Sequence, residues 1–81
     1  MKINTINDAV RVASICEKYP YLEIDAKCEG SRYIVDANSM MGLTLMIGRG
    51  ELFLKVIDPS KPGYESFINE IGELDVAIEK E

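Results

Sequence analysis

The stretch that decides the fold is YLEIDAKC at residues 21–28, followed by EGSRYIVDA at residues 29–37. In the first part, apolar and charged side chains alternate, which is the two-residue period of a strand with one buried face. The second part opens with EGS, which is typical of a hairpin turn. The alternation then resumes, with Tyr33, Val35 and Ala37 expected to point inward. The sequence therefore predicts two antiparallel strands joined by a turn.

A helix is predicted on the N-terminal side of this hairpin. Thr5 is a candidate N-cap with Asp8 three residues later, and Pro20 marks the far end. Between them, apolar residues recur at three- and four-residue spacing, which is one face of a helix. The residues of this stripe are Ile6, Ala9, Val10, Ala13 and Cys16. The residues before Thr5 are expected to form a brief edge strand.

The C-terminal side predicts a short helix, a strand and a last helix. Asn38 or Ser39 can cap a helix of two to three turns that ends at Gly48. A strand is predicted over residues 51–57, and a proline-marked loop precedes the last helix. The apolar stripe of that helix is expected to be Tyr64, Phe67, Ile68, Ile71, Leu74 and Ile78. The order βαββαβα predicts one α+β domain over residues 1–81, with three helices on one face of a four-stranded antiparallel sheet.

Composition and charge exclude several function classes. The chain has no histidine, so no mechanism can use an imidazole as base, metal ligand or phosphoryl acceptor. The formal charge is −5, and the whole acidic excess lies in residues 62–81. No basic stripe is present to bind a nucleic-acid backbone, and an anionic membrane would repel the chain. Because a signal peptide and a long apolar run are also lacking, we expect a cytoplasmic protein that binds neither nucleic acid nor membranes.

The two cysteines, Cys16 and Cys28, are expected to be reduced and buried. Without a CxxC motif or a histidine they make a poor zinc site, and the chain has no glycine-rich phosphate loop. Neither a metal nor a cofactor is expected, and the pattern does not favour an enzyme. Two alternatives stay open: an enzyme or carrier that uses a cysteine or a carboxylate, and a structural subunit that pairs through a sheet edge or a helix face.

The segment DANSMMGL, residues 36–43, resembles the region around the regulatory serine of the phosphocarrier protein HPr of the bacterial sugar phosphotransferase system. The predicted element order and the pair Lys18-Tyr19 at the end of the first helix match the same family. The resemblance implies an HPr-like open-faced β-sandwich. In HPr a histidine at the start of the first helix carries the phosphoryl group and an arginine helps to hold it. These positions are Thr5 and Asn7 here, so the resemblance implies a member that has lost phosphoryl transfer.

The resemblance also assigns a role to the second helix. Ser39 corresponds to the serine that HPr kinase phosphorylates in Gram-positive bacteria, and a helix N-terminus favours a phosphate there. Such a short helix cannot turn all its methionines inward, so we expect an exposed apolar surface of the kind that binds proteins. The sequence predicts a non-catalytic regulatory or protein-binding module related to the phosphotransferase system, with a protein partner on this helix. The contact residues are expected to be Met40, Met41, Leu43, Thr44 and Met46.

Overall fold

The computed structural model describes residues 1–79, which form an α+β fold of three helices and an open, mixed four-stranded sheet. Along the chain the elements are α1 (Ile6–Cys16), β1 (Ile24–Cys28), β2 (Val35–Asp36), α2 (Met40–Thr44), β3 (Leu52–Val56), α3 (Tyr64–Gly72) and β4 (Ala77–Ile78). The strand order across the sheet is β2-β1-β3-β4. The two-residue strands therefore lie at the two edges.

The centre of the sheet is the antiparallel pair of β1 and β3. The register runs from Ile24 opposite Val56 to Cys28 opposite Leu52, so all five residues of each strand are paired. Buried and half-buried residues alternate along both strands. This alternation confirms the one-sided strand patterns predicted from the sequence.

Strand β2 pairs antiparallel with β1, as predicted, but it is shorter than expected. Ala37 is buried and Val35 is half-buried, whereas Tyr33 is exposed, so the inward orientation predicted for Tyr33 is wrong. The Tyr33 N–H donates to the Ser31 hydroxyl at 3.1 Å. Such a local side-chain acceptor competes with the strand ladder, which accounts for the late start of β2.

The prediction of a wholly antiparallel sheet is wrong at one edge. Strand β4 runs parallel to β3, with Phe53 opposite Ala77. The edge strand expected before α1 is reduced to a single antiparallel bridge between Lys2 and Glu51. The element order of the described residues is thus αββαβαβ rather than the βαββαβα expected from the sequence.

The chain after Gly72 also differs from its prediction, because the helix ends there instead of running on to Ile78. Asp75 adopts a left-handed backbone with φ of 57°, a conformation that no helix continues through. Beyond it the chain is extended, and the Glu79 N–H donates to the Leu54 carbonyl at 2.7 Å. Ile78 is therefore a strand residue in the structure.

Helix α1 begins as predicted with a reciprocal cap. The Thr5 hydroxyl accepts a hydrogen bond from the Asp8 N–H at 3.3 Å, and the Asp8 carboxylate accepts one from the Thr5 N–H at 3.1 Å. The buried face is rotated from the predicted stripe: Val12 belongs to it, whereas Ile6 and Val10 are exposed. The residues buried on α1 are Ala9, Val12, Ala13 and Cys16.

One apolar core joins the three helices to the inner sheet face. The turn that follows α1 packs on α3, where the rings of Tyr19 and Phe67 meet edge to face with centroids 5.6 Å apart. Within residues 1–79 no polar or charged side chain is buried. In this part of the chain, no helix has both the length and the apolar composition that crossing a bilayer requires.

Candidate functional site

The turn before α2 is fixed by short-range hydrogen bonds. The Asp36 carboxylate accepts from the Asn38 N–H at 2.8 Å, and the Asp36 carbonyl accepts from the Ser39 N–H at 2.9 Å. Ser39 is the N-cap, and its hydroxyl oxygen accepts from the Gly42 N–H at 3.1 Å. The capping role predicted for Ser39 is confirmed. Its phosphorylation stays a prediction.

Helix α2 lies directly against the edge strand β2. A Cβ atom placed on Gly42 would lie 2.9 Å from Cβ of Val35, which is closer than real side chains approach. Gly42 is therefore required by packing, because any larger residue would push α2 away from β2. This close approach fixes where the side chains of α2 point.

Two of the predicted contact residues lie in the core. Leu43 is fully buried and Met46 is 1% exposed, so neither side chain is available to a partner in this structure. Met40 and Thr44 are half-buried, and the Thr44 hydroxyl donates to the Met41 carbonyl at 2.7 Å. Of the predicted set, Met41 is the residue that projects into solvent.

Two exposed apolar side chains lie four residues apart at α2, one within the helix and one at its C-cap. Met41 is 78% exposed, and the C-cap Leu45, which is not among the predicted contact residues, is 62% exposed. Residues four apart on a helix are neighbours on one face. The same spacing in the sequence could have identified Leu45 once Met41 was placed outward.

Helix α1, which contacts α2, has a second exposed apolar pair with the same spacing. Ile6 is 62% exposed and Val10 is 43% exposed. Four residues apart, these two side chains also share one helix face. Two contacting helices thus each expose an aliphatic or thioether pair.

Thr5 and Asn7, the positions that the HPr resemblance would align with the histidine and the arginine, carry neither an imidazole nor a guanidinium. Thr5 and Asn7 are both exposed, and the Thr5 hydroxyl serves the helix cap. The Asp8 carboxylate accepts from the N–H groups of Asn4, at 3.0 Å, and Thr5. The hydrogen bond from Asn4, followed by those from Thr5, holds the pKa of Asp8 below its ordinary value. The start of α1 is therefore occupied by a carboxylate of the chain itself.

Both thiols are buried and protonated at neutral pH. Burial raises the pKa of Cys16 to about 12, and the negative charges of Asp36 and Glu17 add to the effect. Burial also raises the pKa of Cys28, although the charge of Arg49 opposes it. Within residues 1–79, histidine, cysteine and acidic side chains form no group of three or more that could hold a metal ion.

A groove lies between the segment that leads into β2 and the end of α2, and we call it the edge groove. Its volume is about 230 Å³. The residues that line it are Ser31, Tyr33, Ile34, Val35, Leu45, Met46 and Arg49. Nε of Arg49 donates to the Leu45 carbonyl at 2.8 Å, which holds the guanidinium beside the groove. This groove was not predicted from the sequence, because its two walls come together only through the packing of α2 on β2.

In comparisons with known proteins, no family model, no curated protein and no solved structure matches this chain. These comparisons give the HPr resemblance no support, and it stays a prediction that rests on the segment at residues 36–43.

Proposed function

We propose that this protein is a non-catalytic protein-binding module that binds its partner through the exposed pairs of α1 and α2. We name this region the α2 surface and define it as Ile6, Val10, Met41 and Leu45. The observation that carries the proposal is the exposure of Met41, which lies at the tip of a helix whose other side is packed on β2. A single exposed apolar residue is ordinary in a folded protein. Two spaced pairs on contacting helices are less so, and they fit a docking surface.

Burial of these side chains can supply useful binding energy. Each fully buried methionine, leucine, isoleucine or valine side chain contributes about 1.5–3 kcal/mol relative to exposure. Interfaces concentrate their energy in a few central residues. We propose Met41 as that centre because it is the most exposed of the four. Its flexible thioether also adapts to the shape of a partner.

The alternative of a cysteine-dependent enzyme or carrier is disfavoured by the state of the thiols. A reactive cysteine needs an accessible thiolate, whereas Cys16 and Cys28 are buried and their pKa values are raised. We therefore expect slow alkylation of both by iodoacetamide in the native protein at neutral pH, and fast alkylation in urea. Rapid modification of either native thiol would reinstate this alternative.

The regulatory part of the proposal concerns Ser39. We propose that phosphorylation at this position places a dianion next to the α2 surface and changes partner affinity. Support comes from the resemblance of residues 36–43 to the HPr segment and from the partial exposure of Ser39 at a helix start. Incubation with a Gram-positive HPr kinase and ATP, followed by mass spectrometry, should show one added phosphate. Ser39→Ala is the control, and an unmodified wild-type protein would refute this part.

The docking function is tested by partner capture with two matched variants. Three immobilised proteins are each incubated with a lysate of the source cells: wild type, Met41→Asp and Tyr21→Asp. Tyr21 is 77% exposed, close to the 78% of Met41, but it lies in the segment before β1. We expect proteins retained by wild type and by Tyr21→Asp to be lost with Met41→Asp, because a carboxylate at the centre of an apolar contact is desolvated without a partner.

Light scattering separates this function from the structural-subunit alternative. A monomer that captures another protein through Met41 fits the proposal. A wild-type dimer that Met41→Asp converts to a monomer would instead assign the α2 surface to a second copy of this chain. Identical capture by all three proteins would refute the docking function.

A further inference from the structure

We propose that the edge groove binds the C-terminal residue of the partner protein, with its apolar side chain in the groove and its carboxylate on Arg49. The inference rests on the proposed function, because Leu45 belongs both to the α2 surface and to the groove. It adds the chemistry of the segment that is recognised.

The walls of the edge groove suit a hydrocarbon side chain. Tyr33, Ile34 and Leu45 line it and are all exposed, although each is large and apolar. The volume of about 230 Å³ lies below the range of roughly 300–1,000 Å³ that whole small-molecule ligands occupy. The groove thus fits one side chain of a larger partner better than a complete cofactor.

Arg49 supplies a positive charge that no carboxylate of residues 1–79 pairs with. Its Nε is used by the Leu45 carbonyl, which leaves the terminal guanidinium nitrogens for another acceptor. A guanidinium fixed at Nε presents its remaining N–H groups in a plane, and this geometry matches a carboxylate. The complementary ligand is therefore anionic at the groove rim.

Because the Arg49 charge lies close to the apolar walls of the edge groove, the best ligand is the C-terminus of a polypeptide. Arg49 and Leu45 line the same small groove, so the carboxylate and the apolar side chain of the ligand must lie within about one residue of each other. In a C-terminal residue both groups are attached to the same Cα. An apolar C-terminal residue meets this requirement without any turn in the ligand.

The sheet edge favours a polypeptide over a small apolar acid. Strand β2 is the outer strand of the sheet, and its backbone pairs with β1 on one side. An extended peptide can add to such an edge through main-chain hydrogen bonds while its side chains fill neighbouring pockets. The Asp36 carbonyl already accepts from the Ser39 N–H, so such pairing falls to the segment that leads into β2, and a ligand without a backbone could not make it.

The test uses fluorescence anisotropy with labelled pentapeptides of sequence Gly-Ser-Thr-Val-Xaa, in which Xaa is Leu, Ile or Phe. Each peptide is prepared with a free C-terminal carboxylate and as the amide. We expect binding of at least one free acid, and a loss of at least about tenfold in affinity on amidation, since a charge-assisted bidentate contact is removed. Arg49→Gln should cause a similar loss, and Arg49→Lys should restore part of it. Tyr21→Asp should bind as wild type does.

Three results would overturn the proposal. The first is the absence of binding by every free acid in the millimolar range. The second is equal affinity for acids and amides. The third is competition by N-acetylphenylalanine at the same concentration as the pentapeptide, which would assign the groove to a small apolar acid. Circular dichroism of the Arg49 variants verifies that they are folded.

Partner capture distinguishes this failure from failure of the docking function. If capture depends on Met41 but not on Arg49, the α2 surface binds a partner and the terminal-residue inference is wrong. If the peptides bind through Arg49 but capture does not depend on Met41, the groove is a peptide site and the proposed surface is wrong.

Discussion

The β1–β3 ladder and the corner formed by β2 and α2 differ in how completely their side chains are used for folding. The ladder pairs five residues with five and buries every second side chain in the core. The corner pairs two residues with two, and its short helix has one fully buried side chain, Leu43. Its close contact with the rest of the fold is made by a glycine. The ladder therefore determines stability, while the corner has apolar side chains to offer a partner.

The largest effect on stability is expected from a substitution in the buried face of the β1–β3 ladder. Leu54 lies at the centre of β3 and is fully buried. Leu54→Ala should lower the free energy of unfolding by about 2–5 kcal/mol, because it removes buried methyl groups and leaves a cavity. Urea denaturation followed by circular dichroism measures this change.

The matched control for Leu54→Ala is Leu45→Ala, which makes the same chemical change on the exposed side of the corner. Surface substitutions usually change stability by less than about 0.5 kcal/mol. If the two variants proved equally destabilising, the assignment of stability to the ladder and binding to the corner would be wrong.

A smaller effect is expected where the corner meets the sheet. Gly42→Ala should gain about 1 kcal/mol from helix propensity but lose about 1–3 kcal/mol from the clash with Val35. We expect a net loss of stability. Gly72→Ala in α3 is the control, since a Cβ there has no neighbouring atom within 4 Å and propensity alone should act. Stabilisation by Gly42→Ala equal to that by Gly72→Ala would show that α2 is not held against β2 as described.

The smallest expected effect is a loss of stability at acidic pH. It arises where the turn after α1 contacts α3. The carboxylate of Glu70 accepts hydrogen bonds from Nζ of Lys18 and from the Tyr19 hydroxyl, at 2.7 Å for the latter. The contact with Lys18, followed by that with Tyr19, holds the pKa of Glu70 below its ordinary value of 4.5. A carboxyl whose pKa is lowered by folding stabilises the fold above its unfolded pKa, and the contribution is lost as the pH falls through the folded pKa.

Urea midpoints measured between pH 7 and pH 3 test this dependence. We expect wild type to lose stability below about pH 4.5, and Glu70→Gln to lose less over the same interval because one of the titrating contacts is absent. Leu45→Ala should follow the wild-type curve. A Glu70→Gln curve parallel to wild type would exclude Glu70 as a source of acid sensitivity.

The sequence predicted the local features of this fold and missed those that depend on tertiary contact. The alternation of β1, its antiparallel pairing with β2 and the Thr5 cap involve residues close in sequence, and all three are present in the structure. The parallel strand β4 was missed because Leu74 and Ile78 continue the helical spacing of α3. A two-residue strand has no period of its own, and the left-handed turn at Asp75 has no sequence signal here that opposes the helix.

The candidate site also has one part that the sequence predicted and another that depends on tertiary packing. Met41 was expected at the surface because a short helix cannot bury all its methionines, and it is exposed. The edge groove could not be predicted, since the segment at 31–35 and Arg49 come together only when α2 packs on β2 through Gly42. Leu43 and Met46 were expected at a partner contact, but the direction of each side chain depends on that same packing.

The two ends of the described chain meet on one strand. The Met1 carbonyl accepts from the Leu52 N–H at 2.9 Å, and the Glu79 N–H donates to Leu54, also in β3. Strand β2 lies at the opposite edge of the sheet. Glu79 is therefore separated from β2 by β1 and β3, whereas the Ile3 carbonyl accepts from the N–H of Gly48, the neighbour of Arg49 in the edge groove, at 2.9 Å. A dye or tether attached on the β4 side of the sheet would therefore disturb the edge groove least.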